Sequence, residues 1–204
     1  MIWLKLFNVR EEESKIVSNF FFHHFFLGLG LALLLLVSET LFISLFPVSY
    51  FPMVFIFSAV AMMLTGRVYS YFEDKQPFKK LLPFVLTIIV AITILVWLLF
   101  FIKGFVILPI ILFIVFRIIY LLSNLEFWGL SSIVFDVRQG KRLFGLISSG
   151  DMPAKLLGYL SVYLFVPIIG LQSLLIIAAI AFGINPSAIV VKPLKSVNNT
   201  ETLS

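Results

Sequence analysis

Long apolar runs alternate along this chain with short stretches in which charges and prolines gather. A helix that crosses a bilayer needs ~20 mostly apolar residues to traverse ~30 Å of hydrocarbon, and six segments meet that requirement. The first runs from Val17 to Leu41 or Phe46, interrupted by Asn19, His23, His24 and Glu39, and ends where Pro47 and Pro52 restrict the backbone. The second runs from Met53 to Tyr71, and the third from Leu81 to Ile102. Thr87 and Thr93 are the third segment's polar side chains, which makes it the segment expected to face lipid most. After a minimal turn at Lys103 and Gly104 the fourth spans Phe105 to Phe135. The fifth spans Leu143 to Val166, closed by Pro167 and Gly170. The sixth, Leu171 to Val191, is interrupted by Gly183, Asn185 and Pro186. Residues 1–16 read as a leader, with Trp3 and Phe7 as anchors of an interfacial helix. Residues 17–191 read as the membrane domain, and residues 192–204 as a disordered polar tail.

Composition agrees with that pattern. Sixty-one per cent of residues are hydrophobic, 12% are charged and the mean hydropathy is +1.14. Soluble domains carry about twice that share of charge, so no core of ordinary size could hide the apolar excess. The runs lack the alternating polar face of a membrane β-barrel, which leaves helices as the spanning structure. The formal charge of +5 is no nucleic-acid signal, because the basic residues sit between the apolar runs. Lys5, Arg10 and Lys15 precede the first segment, and Arg67, Lys75, Lys79 and Lys80 follow the second. Arg138, Lys141 and Arg142 follow the fourth, Lys192 and Lys195 follow the sixth, and the opposite side holds Lys103. The positive-inside rule then puts both termini in the cytoplasm.

The absence of cysteine removes disulfides and thiolate metal sites. Adjacent His23 and His24 diverge by 100° on a helix and cannot share one metal comfortably, so no metal or other cofactor is expected. No nucleophile, metalloprotease or phosphate-loop motif is found, and no enzymatic activity is expected. The chemistry concentrates elsewhere. Arg117, Tyr120, Asn124 and Trp128 fall on nearly one line of the fourth helix. Arg117 lies about twelve residues in, or ~18 Å deep, where an ionised group costs ~2.5–3.5 kcal/mol and normally faces other helices or water. Lys155, about as deep in the fifth helix, is expected to meet it near one plane. Two cations there suit a small anionic solute, because a guanidinium offers a rigid fork of donors.

Each of these groups also has a structural reading. Arg117 could be satisfied by neighbouring carboxylates, and Asp151 could simply neutralise Lys155 one turn later. Gly150, Ala154 and Gly158, with Gly145 just before, form a small-residue stripe suited to close helix packing. Glu126 could pair with Arg67 or Lys141. His23, His24, Glu39 and Glu126 are candidates for a proton or gating role.

Some segments resemble a known family. Phe7-Asn8-Val9-Arg10-Glu11-Glu12 leads into a first helix containing Phe25-Phe26-Leu27-Gly28. Phe127-Trp128-Gly129 is followed by Asp136, then Gly140-Lys141-Arg142-Leu143-Phe144-Gly145 and Gly150. These resemble bacterial transporters of the ATP/ADP translocase branch of the major facilitator superfamily. The resemblance implies an all-α integral membrane bundle of six helices, equivalent to one half of a twelve-helix carrier. It implies antiport of nucleotides by alternating access in a bacterial inner membrane, and a second six-helix half supplied by another chain or another copy. The competing expectation is a six-helix membrane sensor or scaffold that binds lipid or partner helices.

Overall fold

The computed structural model describes residues 9–102 and 105–184, the side chain of Lys79 excepted. The described residues form helices joined by short turns: α1 (Glu11–Leu45), a 3-10 turn (Val48–Tyr50), α2 (Phe51–Lys75), α3 (Phe78–Leu99), α4 (Leu108–Val134), α5 (Val137–Ser148), α6 (Asp151–Ile169) and α7 (Ser173–Gly183). Among them α1, α2, α3, α4 and the α5–α6 stretch are long and apolar enough to cross a membrane, and α7 is a shorter apolar helix. The molecule is an all-α bundle of the kind a multi-pass membrane protein forms.

Helix boundaries follow local chemistry. α1 starts at Glu11, inside the stretch read as leader, because Glu11, Glu12 and Glu13 suit the positive end of a helix dipole. The Glu13 carboxylate also accepts from the Arg10 N–H at 3.3 Å. α1 stops at Leu45, since Pro47 drives Phe46 into extended backbone. At 35 residues it is ~52 Å long, so its first turns project beyond ~30 Å of hydrocarbon. Trp3, Phe7, the Lys103–Gly104 turn, Asn185, Pro186 and the tail lie outside the described residues.

The expected fifth helix is divided. α5 and α6 meet at a break around Ser149 and Gly150, and Pro153 explains it. Proline has no N–H to return to the Ser149 carbonyl, which instead accepts from the Met152 N–H at 3.3 Å. Asp136 starts α5 by accepting from the Arg138 and Gln139 N–H groups, both at 2.8 Å. α6 ends at Gly170, whose φ of +78° a side chain would rarely tolerate.

α1 is the hub, apolar on every side, and packs against α4, α5, α6 and α7; α2 packs on α4, and α3 on α4 and α7. One end of the bundle gathers Phe42, Phe51 and Phe113 from α1, α2 and α4. At the other end Arg142 of α5 grips Glu13 at 2.6 Å, and Tyr69, Phe78 and Leu82 surround Gly129. That second end also carries Lys75 and Lys80.

The third segment is not the most exposed, contrary to expectation. In their most apolar stretches α2 and the α5–α6 pair have 11% of residues buried, against 39% for α3. α3 is sandwiched by α4 and α7, whereas α2 and α6 flank the bundle.

Candidate functional site

The polar line on α4 lies along its partly open flank. Tyr120 and Trp128 are exposed, and the Asn124 amide donates to the Tyr120 carbonyl at 2.8 Å. Arg117 is half-buried, with its guanidinium carbon 4.9 Å from the ring centre of Phe55, 5.4 Å from that of Phe113 and 5.6 Å from that of Phe116. Its Nε is buried without a hydrogen-bond partner, and no carboxylate among the described residues forms an ion pair with it. Ring faces stabilise a cation by ~0.5–2 kcal/mol but do not neutralise it.

The small-residue stripe of α6 lies on α1. A Cβ at Gly150 would stand 2.4 Å from the Phe21 carbonyl oxygen, and one at Gly158 would stand 2.8 Å from the Ala32 Cβ. A Cβ at Gly28 would meet Asp151 at 2.6 Å and the Ala154 Cβ at 3.2 Å. The α1 half of this seam, Gly28 and Ala32, repeats the same four-residue spacing and escaped the sequence reading. Gly145 has open space where its Cβ would be. Within α6, one turn apart, Lys155 donates to Asp151 at 2.5 Å, both side chains partly exposed.

Arg117 and Lys155 are not level. His23 lies opposite Glu126 and Phe42 opposite Phe113, so Arg117 of the antiparallel α4 stands beside roughly Val37 of α1. Asp151 and Ala154 stand beside Gly28, which puts Lys155 about eight residues of α1 nearer the lysine-rich end, or ~12 Å. No hydrogen bond or ion pair among the described residues joins the two. The expected meeting in one plane fails because Lys155 lies only one turn into α6, which begins at Asp151 and not at Leu143.

The third group is internal. His23 Nε2 and Glu126 Oε2 are 2.8 Å apart, both side chains with no solvent exposure. Glu126 therefore pairs with His23 rather than with Arg67 or Lys141, a contact 103 residues apart in sequence that no local pattern reveals. The other carboxylate oxygen, Oε1, and the Ser123 hydroxyl one turn earlier on α4 are buried without hydrogen-bond partners.

His24 points elsewhere, as adjacent helix positions require. Its Nδ1 lies 2.9 Å from the Ser148 carbonyl, and its ring stacks on Phe127 at 4.0 Å. A carbonyl oxygen only accepts, so Nδ1 carries the hydrogen. Ser148 is available because the Met152 N–H has turned to Ser149. His24 thus caps a carbonyl that the Pro153 break releases, and ties α1 to the α5–α6 joint. Glu39, half-buried toward the far end of α1, makes no hydrogen bond or ion pair among the described residues.

α4 and α6 both lie against α1 and touch each other little. Comparison with known proteins finds no matching family model, no matching curated protein and no matching solved structure.

Proposed function

We propose that this chain is one half of an alternating-access membrane carrier for a small anionic solute, with Arg117 as the group that meets the anion. The observation that carries the reading is a half-buried guanidinium deep in an apolar helix with no counter-charge among the described residues. The nearest acid along α4, Glu126, is committed to His23. An anion docking on Arg117 supplies the missing charge through short, directional hydrogen bonds, and Tyr120 and Asn124 add neutral partners that permit release. Lys155, paired with Asp151 on α6 and partly exposed at a different level, suits a second contact for a longer anion, such as a nucleotide or organic acid.

In this reading a second six-helix half, from a separate chain or a second copy, covers the exposed flanks of α2 and α6. The resemblance of the Phe127–Gly158 block to the ATP/ADP translocase branch of the major facilitator superfamily supports that arrangement. The Lys/Arg bias supports an orientation with both termini cytoplasmic, and the same resemblance supports a bacterial inner membrane.

A second reading, a non-transporting membrane module, is favoured by the Asp151–Lys155 pair, which leaves that lysine internally compensated. Equilibrium binding of phosphate, citrate and ATP to the purified chain separates the two. Arg117→Gln should weaken anion binding by about 10- to 100-fold, the value of a charge-assisted contact of ~1.5–3 kcal/mol. Equal binding by Arg117→Gln and the native chain, or no anion bound by either, would leave the module reading standing.

A further inference from the structure

A cleft of about 260 Å³ opens where α2 gives way to α3, lined by Phe72, Gln76, Lys80, Leu81 and Phe84. Gln76 and Pro77 are both extended, so the two helices leave the connection splayed, and they touch little beyond it. Phe72 and Gln76 are one turn apart on α2, and Lys80 and Phe84 are one turn apart on α3, so each wall pairs a polar group with an aromatic ring. Leu81 is buried and forms the floor; both phenylalanine rings are exposed.

The polarity runs in one direction. Lys80 and Gln76 stand at the lysine-rich end, whereas Leu81 begins the apolar run of α3, which carries no charged residue. Lys80 makes no ion pair among the described residues. The neighbouring acids do not answer it: Glu73 and Asp74 lie ~100° and ~200° around α2 from Phe72. Lys75 is occupied elsewhere, with its ammonium 4.0 Å above the Tyr71 ring. A site with a free cation and an amide at its mouth, aromatic walls and an apolar floor fits a molecule with an anionic head and a hydrocarbon tail.

We infer that this cleft is a binding site for an anionic phospholipid, with its phosphate on Lys80 and Gln76 and its first methylenes between Phe72 and Phe84. Among the described residues no carboxylate lines the cleft to receive a choline or ethanolamine ammonium, so a head with net negative charge is preferred over a zwitterionic one.

The test is native mass spectrometry of the purified chain titrated with phosphatidylglycerol or phosphatidylcholine in detergent. The native chain should retain phosphatidylglycerol preferentially, and Lys80→Gln should lower its affinity by about five-fold, the worth of one lysine at an anionic surface. Lys80→Arg should restore the preference, and Lys75→Gln should leave it intact. Equal retention of both lipids by the native chain, or an unchanged preference in Lys80→Gln, would overturn the site. Displacement of phosphatidylglycerol by millimolar inorganic phosphate would identify a free-phosphate site and overturn the lipid assignment.

Discussion

The His23–Glu126 contact offers the most direct energetic test of the bundle. His23→Ala removes the partner of one carboxylate oxygen in an acid whose other oxygen already lacks one, in a place with no solvent exposure on either side chain. Leaving a buried polar group without its hydrogen-bond partner costs ~1–3 kcal/mol. Interhelical hydrogen bonds measured by double-mutant cycles in membranes average only ~0.6 kcal/mol and reach ~1.7 kcal/mol, because the unfolded chain in the membrane also finds partners. The two figures describe different quantities, and both should be visible. His23→Ala should destabilise by about 3 kcal/mol through the orphaned carboxylate and the lost ring contact with Phe127. Glu126→Gln, whose amide can still bond the imidazole, should cost about 1 kcal/mol. The double variant should fall short of the sum by ~1–2 kcal/mol. Unfolding by sodium dodecyl sulfate in mixed micelles, followed by helical circular dichroism, reads all three. A His23→Ala cost below ~1 kcal/mol, or strict additivity, would refute the pair as the lock between α1 and α4.

Further perturbations test the α1–α6 seam and its break. Gly150→Ala places a Cβ against the Phe21 carbonyl, a backbone atom that cannot turn aside, and should destabilise by ~1–3 kcal/mol. Gly145→Ala meets open space inside α5 and should stabilise by ~0.5–1 kcal/mol in the same titration. Pro153→Ala restores an N–H for Ser149 and lets Met152 turn back to Ser148, so His24→Ala should cost less in that background than in the native chain. Equal costs of His24→Ala in the two backgrounds would separate the histidine from the kink.

The spans were legible because length and hydropathy are strictly local properties: the second, third and fourth segments were located to within a few residues. Where the reading went astray, the cause lay in contacts between distant parts of the chain or in a backbone detail. Pro153 stood in plain view inside the fifth segment, yet counting apolar residues passes over a missing N–H. The α1–α6 seam was half legible, since Gly150, Ala154 and Gly158 announce a smooth face without naming Gly28 and Ala32 as what they meet. Glu126 was misassigned because a helix wheel tells which way a side chain leaves its own helix and nothing about which helix stands there. The depth of Lys155 failed for a related reason: it was counted from Leu143, whereas the helix that carries it begins only at Asp151.

Arg117 is where stability and function should pull apart. Asp151 offsets Lys155, and His23 engages Glu126, but among the described residues the guanidinium of Arg117 is met by phenylalanine faces and by no carboxylate. If its role is to hold an anion, then the empty protein bears a charge in an apolar helix that no acid among the described residues compensates. Arg117→Leu should then stabilise the bundle, by up to ~2.5–3.5 kcal/mol on insertion scales less ~0.5–2 kcal/mol of lost cation–ring attraction, a net gain of roughly 0.5–3 kcal/mol. Anion binding should disappear in the same variant, and added anion should raise the stability of the native chain but not of Arg117→Leu. A structural arginine predicts the reverse order: Arg117→Leu would lose stability because the three rings close on an ill-fitting side chain, and added anion would protect neither protein. A loss of more than ~1 kcal/mol in Arg117→Leu would place the residue among the supports of the fold.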